Sequence, residues 1–233
     1  MTDTLDKMRG VRQLPLFPLP VALFPGTPLP LHIFEPRYRQ MLKDIKITNS
    51  LFGIPFFDAG ESAENRPPLG TVGCVAELRD DQKAEDGRSN ILTVGVVRFR
   101  IEDYVETGDP YFVGEVSYFE DEEEDAELLE PRSRAVRDLF FRVAKAVREL
   151  AGETVELPDL PDITPVQLSF FVAASVDFDV KLKYDLLETR STAERLKRLY
   201  ELLSQAVNQV ESRADIHKVA QTNGHSKKKI DLP

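Results

Sequence analysis

Few side chains in this sequence could carry out covalent or metal chemistry. The chain has one cysteine, Cys74, and three histidines, of which His217 and His225 lie in a polar C-terminal segment. A zinc site needs three or four ligands, which Cys74 and the one remaining histidine, His32, cannot supply. A Ser-His-Asp triad would have to use His32, which lies in a proline-rich apolar segment and is interpreted as structural. Cys74 falls in the apolar phase of a predicted strand and is interpreted as a core residue.

Motifs that bind phosphates or calcium are also missing. No Gly-Lys pair and no GxGxxG pattern occurs, so the usual nucleotide cradles are absent and we expect no cofactor. Residues 120–130 hold eight acidic side chains, but this run lacks the glycine and asparagine that let a calcium loop wrap the ion. We interpret it as a solvated linker. The residues by themselves indicate no catalytic constellation.

Composition favours a cytoplasmic protein that binds neither membranes nor nucleic acid. The 233 residues carry a net charge of −10, and removing the eight charges of the acidic run leaves only −2. A nucleic-acid surface requires a basic patch, and the lysines at 227–229 are interpreted as a solvated tail. No apolar run reaches the roughly 18–20 residues of a membrane span. The N-terminus lacks a signal-peptide pattern, and a single cysteine fits a reducing compartment.

The first half of the chain predicts a small, strongly bent β structure with one helix. Seven of the sixteen prolines lie between Pro15 and Pro36, which indicates an extended edge strand and then an apolar loop over a core. Pro36 suits the first position of a helix, and four apolar residues follow at helical spacing. They are Tyr38, Met41, Leu42 and Ile45.

A change of phase within one segment predicts a bulge in a long strand. From residue 51 to 119 the apolar period is two. One face holds Leu92, Val94 and Val96 before the pattern passes to Val97, Phe99 and Ile101. Such a one-residue shift indicates a bulge or sharp bend. The polar segment 80–90 is interpreted as a long hairpin loop.

The second half predicts a bundle of about four helices. Pro131 is expected to open the first, and the Thr164–Gln167 segment reads as a capping box for the second. A short helix from 180 to 187 precedes the last, which begins near Thr192 and continues to about Val210. We therefore expect five segments along the chain: a disordered N-terminus at 1–11, a β subdomain at 12–119, an acidic linker at 120–130, a helical bundle at 131–212 and a disordered tail at 213–233.

Several motifs in order resemble one known family. The segment Leu14–Leu42, LPLFPLPVALFPGTPLPLHIFEPRYRQML, closely resembles the opening of the N-terminal substrate-binding domain of Lon proteases. Shorter segments that resemble the same domain follow at residues 52–54, 69–73, 86–88 and 95–101. The later helices of that domain are similar to residues 181–203, KLKYDLLETRSTAERLKRLYELL. The resemblance spans about residues 12–212.

This resemblance implies an α+β fold, namely a PUA-like bent mixed β barrel with one short helix, followed by the helical bundle. It also implies recognition of protein substrates. Because the sequence lacks a Walker loop and a Ser-Lys protease module, we expect a stand-alone, non-catalytic form of the domain. Its partners would be unfolded or partner proteins, and a homo-oligomer could form through helical surfaces.

Candidate residues for protein binding come from the proline-rich motif and the segment before the next polar stretch. They are Phe24, His32, Phe34, Arg37, Tyr38, Phe56 and Phe57. Exposed aromatics offer a large contact area, although for Phe56 and Phe57 a core position stays an open alternative. Two other functions stay open as well: RNA binding, because PUA-like barrels in other families contact RNA, and a hydrolase acting through His32.

Overall fold

The part of the chain that the structure describes forms a six-stranded sheet and six helices. The computed structural model describes residues 3–58, 60, 65–152 and 163–223. In chain order the elements are α1 (Asp3–Lys7), β1 (Gln13–Leu16), β2 (Pro28–Ile33), α2 (Pro36–Lys46), β3 (Leu51–Pro55), β4 (Val72–Lys83), β5 (Ser89–Val105), β6 (Phe112–Phe119), α3 (Ala126–Ala151), α4 (Pro165–Ser175), α5 (Val180–Glu188) and α6 (Thr192–Asn223). The predicted α+β class is confirmed.

The sheet is mixed and runs in the order β2-β5-β4-β3-β1-β6, with a further pairing between β5 and β6. β1 and β3 are parallel, and the other paired strands are antiparallel. β2 pairs with β5 on one side and lies at the edge of the order. The edge strand predicted before the apolar loop is wrong in its position: β1, which precedes the loop, pairs with both β3 and β6, whereas β2, which follows the loop, is the proline-containing edge strand and exposes one side of its backbone.

Two apolar cores cover the two faces of the sheet. On β4, Cys74 and Ala76 belong to a core that also contains the buried face of α2, whereas Val75 belongs to a second core with Phe99 and Ile101. This explains why the first five residues of β4 are all buried. α2 begins at Pro36 and buries Tyr38, Met41, Leu42 and Ile45, as its spacing predicted.

The predicted irregularity lies in β5 where the pairing with β4 shifts. Cys74 pairs with Arg98, but Ala76 pairs with Gly95, so Val96 and Val97 together oppose Val75. Gly95 is needed at this bulge because a Cβ there would lie 2.2 Å from the Phe24 carbonyl oxygen. The predicted faces were partly wrong: Ile91 is buried, whereas Leu92, expected on an apolar face, is 40% exposed.

Arg98 is a buried charge that joins β5 to the segments that follow it. Its side chain is 1% exposed and forms an ion pair with Asp121, which is 5% exposed. The guanidinium also donates to the carbonyl oxygens of Leu187 (2.9 Å) and Thr189 (2.7 Å) and lies over the Phe119 ring, 4.6 Å from its centroid. Part of the acidic run is thus buried and paired, whereas the sequence suggested a solvated linker.

By contacts the chain separates into two units, and their boundaries differ from those expected. The first comprises Met1–Glu123 with Ser169–Ser191, and the second comprises Glu124–Leu168 with Thr192–Pro233. Residues 169–191, expected in the bundle, group with the sheet. Within that unit the Val72 amide donates to the Tyr184 hydroxyl (3.1 Å).

In the second unit, α3 and α6 pack against each other. α3 begins at Ala126, not at Pro131, because the Asp125 carboxylate accepts from the Glu127 amide and caps the helix earlier. The Thr164–Gln167 capping box is confirmed, since the Gln167 amide donates to Thr164 Oγ1 (3.3 Å). Glu124 accepts from the Ala193 amide (3.0 Å) at the start of α6. The α6 residues that are buried are Leu196, Leu199, Leu203 and Val207.

Residues 3–11 and 213–223, for which disorder was expected, contain helices. At the N-terminus α1 forms, and Met8 is buried in the second core because its side chain packs with residues of β1 and β5. At the C-terminus α6 continues to Asn223, beyond the expected end near 213, while residues 224–233 of the predicted tail lie outside the described residues. Among the helices that the structure describes, none is both long and apolar enough to cross a membrane.

Candidate protein-binding surface

The edge strand β2 has few amide donors on its open side. Pro28 lies opposite Val94 and Pro30 lies opposite Leu92. Because proline has no N–H, both must occupy positions whose nitrogen points away from β5. Leu29, Leu31 and Ile33 alternate with these prolines and face β5 with their backbone hydrogen-bonding groups. The same alternation holds just before the strand, where the Gly95 amide donates to the Thr27 carbonyl (3.0 Å). An edge of this kind is a poor template for strand addition.

The outward side chains of β2 and β5 form a surface that combines apolar and imidazole groups. We define the β2 patch as Pro30, His32, Phe34, Asn90 and Leu92. The rings of His32 and Phe34 stack with their centroids 5.9 Å apart, and His32 Nδ1 lies 2.7 Å from Asn90 Oδ1. Phe34 is 57% exposed and Leu92 40% exposed. Two large apolar side chains therefore face solvent beside a histidine whose ring is oriented by an amide.

Arg37 lies next to this patch at the start of α2. Its guanidinium pairs with the Glu35 carboxylate (2.9 Å) and lies over the Tyr38 ring, 4.5 Å from the centroid. Glu35 occupies the N-cap position, but its side chain makes no capping hydrogen bond, because the carboxylate is engaged by Arg37. The exposed guanidinium remains available to a partner at the rim of the β2 patch.

Two of the candidate aromatics are core residues. Phe24 is fully buried and its ring centroid lies 6.0 Å from that of Phe170. Tyr38 is 4% exposed and packs 4.1 Å from Phe17 between ring centroids; burial raises the pKa of its hydroxyl. Neither ring faces solvent, so neither forms part of an exposed surface.

Phe56 and Phe57 are half-buried and lie at the end of β3, away from the β2 strand in the sheet order. The Phe56 ring packs 4.8 Å from Tyr184 between centroids, and the Phe57 amide donates to the Leu19 carbonyl (2.8 Å). These contacts leave part of each ring accessible. The structure thus brings together His32, Phe34 and Arg37 but not all seven candidate residues.

Leu92 and Asn90 were missed as members of the surface. The signal that could have found them is the alternation on β2 itself: Leu29, Leu31 and Ile33 point to the core, so Pro30, His32 and Phe34 must point outward. Residues paired across an antiparallel ladder share a face. The partners of Pro30 and His32 on β5 are therefore part of the same surface.

The groups that could do chemistry have structural surroundings. Cys74 is fully buried, and burial raises the pKa of its thiol to about 12, so the reactive thiolate is disfavoured. His32 contacts an amide oxygen. Within the described ranges, no group of three or more histidine, cysteine or acidic side chains is placed to hold a metal ion.

A family comparison identifies the class of protein to which this mixed-sheet fold belongs. The family model described as the ATP-dependent protease La (LON) substrate-binding domain matches residues 13–205. The chain belongs to this family. The resemblance inferred from the proline-rich motif is confirmed.

Individual relatives show the same relationship. A Lon protease of Brevibacillus choshinensis is 26% identical over 203 residues, which cover 86% of this chain but 26% of that protein. The chain therefore spans about a quarter of the length of this curated relative. A solved structure titled as a Lon N-terminal domain protein from Xanthomonas campestris is 25% identical, with a TM-score of 0.55, and covers 80% of this chain and 96% of that one.

A second solved structure supports the fold. The N-terminal domain of Mycobacterium avium complex Lon protease has a TM-score of 0.60 at 19% identity, covering 82% of this chain and 98% of that chain. At this identity the likeness concerns the fold alone. The coverage shows that the described helices and strands correspond to a whole Lon N-terminal domain.

Proposed function

We propose that this chain is a non-catalytic module that binds unfolded or partner proteins through the β2 patch, with Arg37 at its rim. The observation that carries the proposal is the exposed Phe34–His32 stack on an edge strand within a domain of the Lon substrate-binding family. An exposed aromatic ring beside hydrogen-bonding groups offers much contact area at low entropic cost. An unfolded segment with apolar side chains is the ligand that such a surface fits.

The proposal assigns no reaction to this chain. It is supported by the burial of Cys74 and by the amide partner of His32, which is not the carboxylate that a catalytic triad uses to orient its histidine. Phe56 and Phe57 are proposed as an accessory contact at the end of β3, because their rings are half-buried. Phe24 and Tyr38 are left out of the proposed surface because their rings are buried.

Replacing Phe34 tests this function. We expect Phe34→Ser to weaken binding of a permanently unfolded, reduced and alkylated model protein about ten- to a hundredfold, since burial of a Phe side chain contributes about 1.5–3 kcal/mol. Fluorescence anisotropy of the labelled model protein measures the change. Suppression of that protein's aggregation should fall in parallel.

Leu69 provides a matched control because it is also 57% exposed and lies outside the β2 patch. Leu69→Ser should leave the affinity within about twofold. Equal losses in both variants would mean that exposed apolar area in general, and not the β2 patch, binds the polypeptide. Tighter binding of a mixed RNA pool than of the unfolded protein at physiological salt would favour RNA binding instead.

A further inference from the structure

A second candidate site lies between α2 and the β4–β5 hairpin, where basic side chains surround a small cavity. The cavity has a volume of about 120 Å³ and is lined by Arg39, Leu42, Lys43, Lys46, Lys83, Gly87 and Ser89. Four residues of α2 at helical spacing form one wall, and the end of β4, the turn and the start of β5 form the other. Four cations at one cavity are notable in a chain of net charge −10.

Lys46 is neutralised by a carboxylate at this cavity. Lys46 forms an ion pair with Asp81 of β4. Burial raises the pKa of Asp81, but hydrogen bonds from Lys46 and Ser89 outweigh it, so the pKa lies below its ordinary value and the carboxylate stays charged. This pair holds α2 against the hairpin and leaves three of the four cations that line the cavity outside an ion pair.

Three other nearby acids have partners of their own, whereas Glu85 in the turn is an exposed carboxylate that forms no ion pair within the described residues. Asp86 pairs with Arg88 (2.6 Å), Asp80 accepts from Gln82 (3.2 Å), and Asp44 accepts from Gln40 (2.8 Å). Within the part of the chain that the structure describes, Arg39, Lys43 and Lys83 have no ion-pair partner. Three positive charges therefore lie at the cavity outside any ion pair. Asp86 and Asp81 still attract Arg39 and Lys83 at longer range, so the positive charge is partly balanced, but the five cations Arg39, Lys43, Lys46, Lys83 and Arg88 outnumber the three acids Asp81, Glu85 and Asp86.

Gly87 allows Arg39 to lie directly against the hairpin turn. A Cβ at Gly87 would be 2.0 Å from Arg39 Nη2 and 2.9 Å from its Cζ, and Gly87 has a φ of +80°. The guanidinium thus occupies the space that a side chain would take. The helix C-terminus favours cations at Lys43 and Lys46, but it does not account for Arg39 or Lys83.

We propose that this cavity binds a phosphate group, with Arg39 as the planar, bidentate donor and Lys43 and Lys83 as flanking charges. The planar guanidinium can donate two parallel hydrogen bonds to phosphate oxygens. Three positive charges balance a doubly charged phosphate better than they balance a singly charged carboxylate. The group can come from free inorganic phosphate or from a phosphorylated side chain. Ser89 lines the cavity and the next residue, Asn90, belongs to the β2 patch, but the phosphate site does not depend on the function proposed for that patch.

An NMR titration of the full chain with sodium phosphate, at ionic strength held constant with NaCl, tests the site. We expect saturable amide shifts confined to residues near 39–46 and 83–89. Arg39→Gln should raise the dissociation constant at least about tenfold, equivalent to ~1.4 kcal/mol, and Lys83→Gln should also weaken binding. Lys197→Gln, a lysine of the second unit with a 62% exposed side chain, is the control and should leave the constant unchanged.

A phosphoserine peptide and its unphosphorylated twin distinguish the two sources. Tighter saturation by the phosphopeptide than by inorganic phosphate assigns the site to phosphorylated side chains, and equal saturation assigns it to the free anion. Shifts that do not saturate, shifts spread over the whole surface, equal losses in Lys197→Gln, or binding of the unphosphorylated twin with the same affinity would each overturn the proposal. Unchanged spectra of the variants away from the cavity confirm that they are folded.

Discussion

Replacing Arg98 by alanine should lower the free energy of unfolding by about 3–5 kcal/mol, because removing one partner of a buried ion pair leaves the other charge uncompensated. The Asp121 side chain would remain buried, and the Leu187 and Thr189 carbonyls would lose their donor. Typical domains are stable by only about 5–15 kcal/mol, so the loss is large. Chemical denaturation followed by circular dichroism measures it.

The matched control for Arg98 is Arg79, a more exposed arginine on the same sheet. Arg79 pairs with Glu77 (2.8 Å), and the side chains are 53% and 16% exposed, respectively. Glu77 keeps a second partner, Lys7 (2.8 Å), when Arg79 is removed, and a pair with an exposed partner contributes at most about 1 kcal/mol. Arg79→Ala should therefore change the stability little. Equal, small effects of the two substitutions would show that the Arg98 contacts do not stabilise the first unit.

Ending the chain after Arg190 should unfold the second unit. This truncation removes Leu196, Leu199, Leu203 and Val207, the buried residues of α6, and exposes the face of α3 that packs against them. Each buried Leu or Val side chain contributes about 1.5–3 kcal/mol, so the loss of four removes about 6–12 kcal/mol, which is comparable to the whole stability of a typical domain. We expect a loss of helical circular dichroism and rapid proteolysis within α3.

A truncation after Arg213 provides the comparison, since it retains all four of those residues and should keep the melting transition. The contacts of Arg98 with Phe119, Asp121, Leu187 and Thr189 survive both truncations, so the first unit should keep its tertiary signal in each. Full helicity after truncation at Arg190 would contradict the account and would mean that the apolar face of α6 serves a partner or a second copy.

Local patterns predicted the helices better than the strand faces. The i, i+3, i+4, i+7 spacing after Pro36 and the Thr164–Gln167 capping box depend on neighbours in sequence, and both form as expected. The predicted start of α3 at Pro131 is wrong because Asp125 caps the helix earlier, so that Pro131 lies inside the helix and leaves it without one backbone hydrogen bond.

Long-range partners explain what the sequence could not provide. Asp121 looks like any other member of the acidic run, and only its pairing with Arg98, 23 residues away, buries it. Residue type alone also could not separate the buried Phe24 and Tyr38 from the exposed Phe34. The alternation of side chains on β2 indicates which of its residues face solvent. The positions of Leu92 and Asn90 beside them follow only from the register between β2 and β5.

Photo-crosslinking tests the central claim, protein binding through the β2 patch, most directly. Benzoylphenylalanine is incorporated at position 34 in one protein and at position 69 in another, two sites with the same 57% exposure. Irradiation with the unfolded model protein should give a strong, saturable crosslink from position 34 and little from position 69. Equal crosslinking from both positions, or crosslinking from position 69 alone, would contradict the claim.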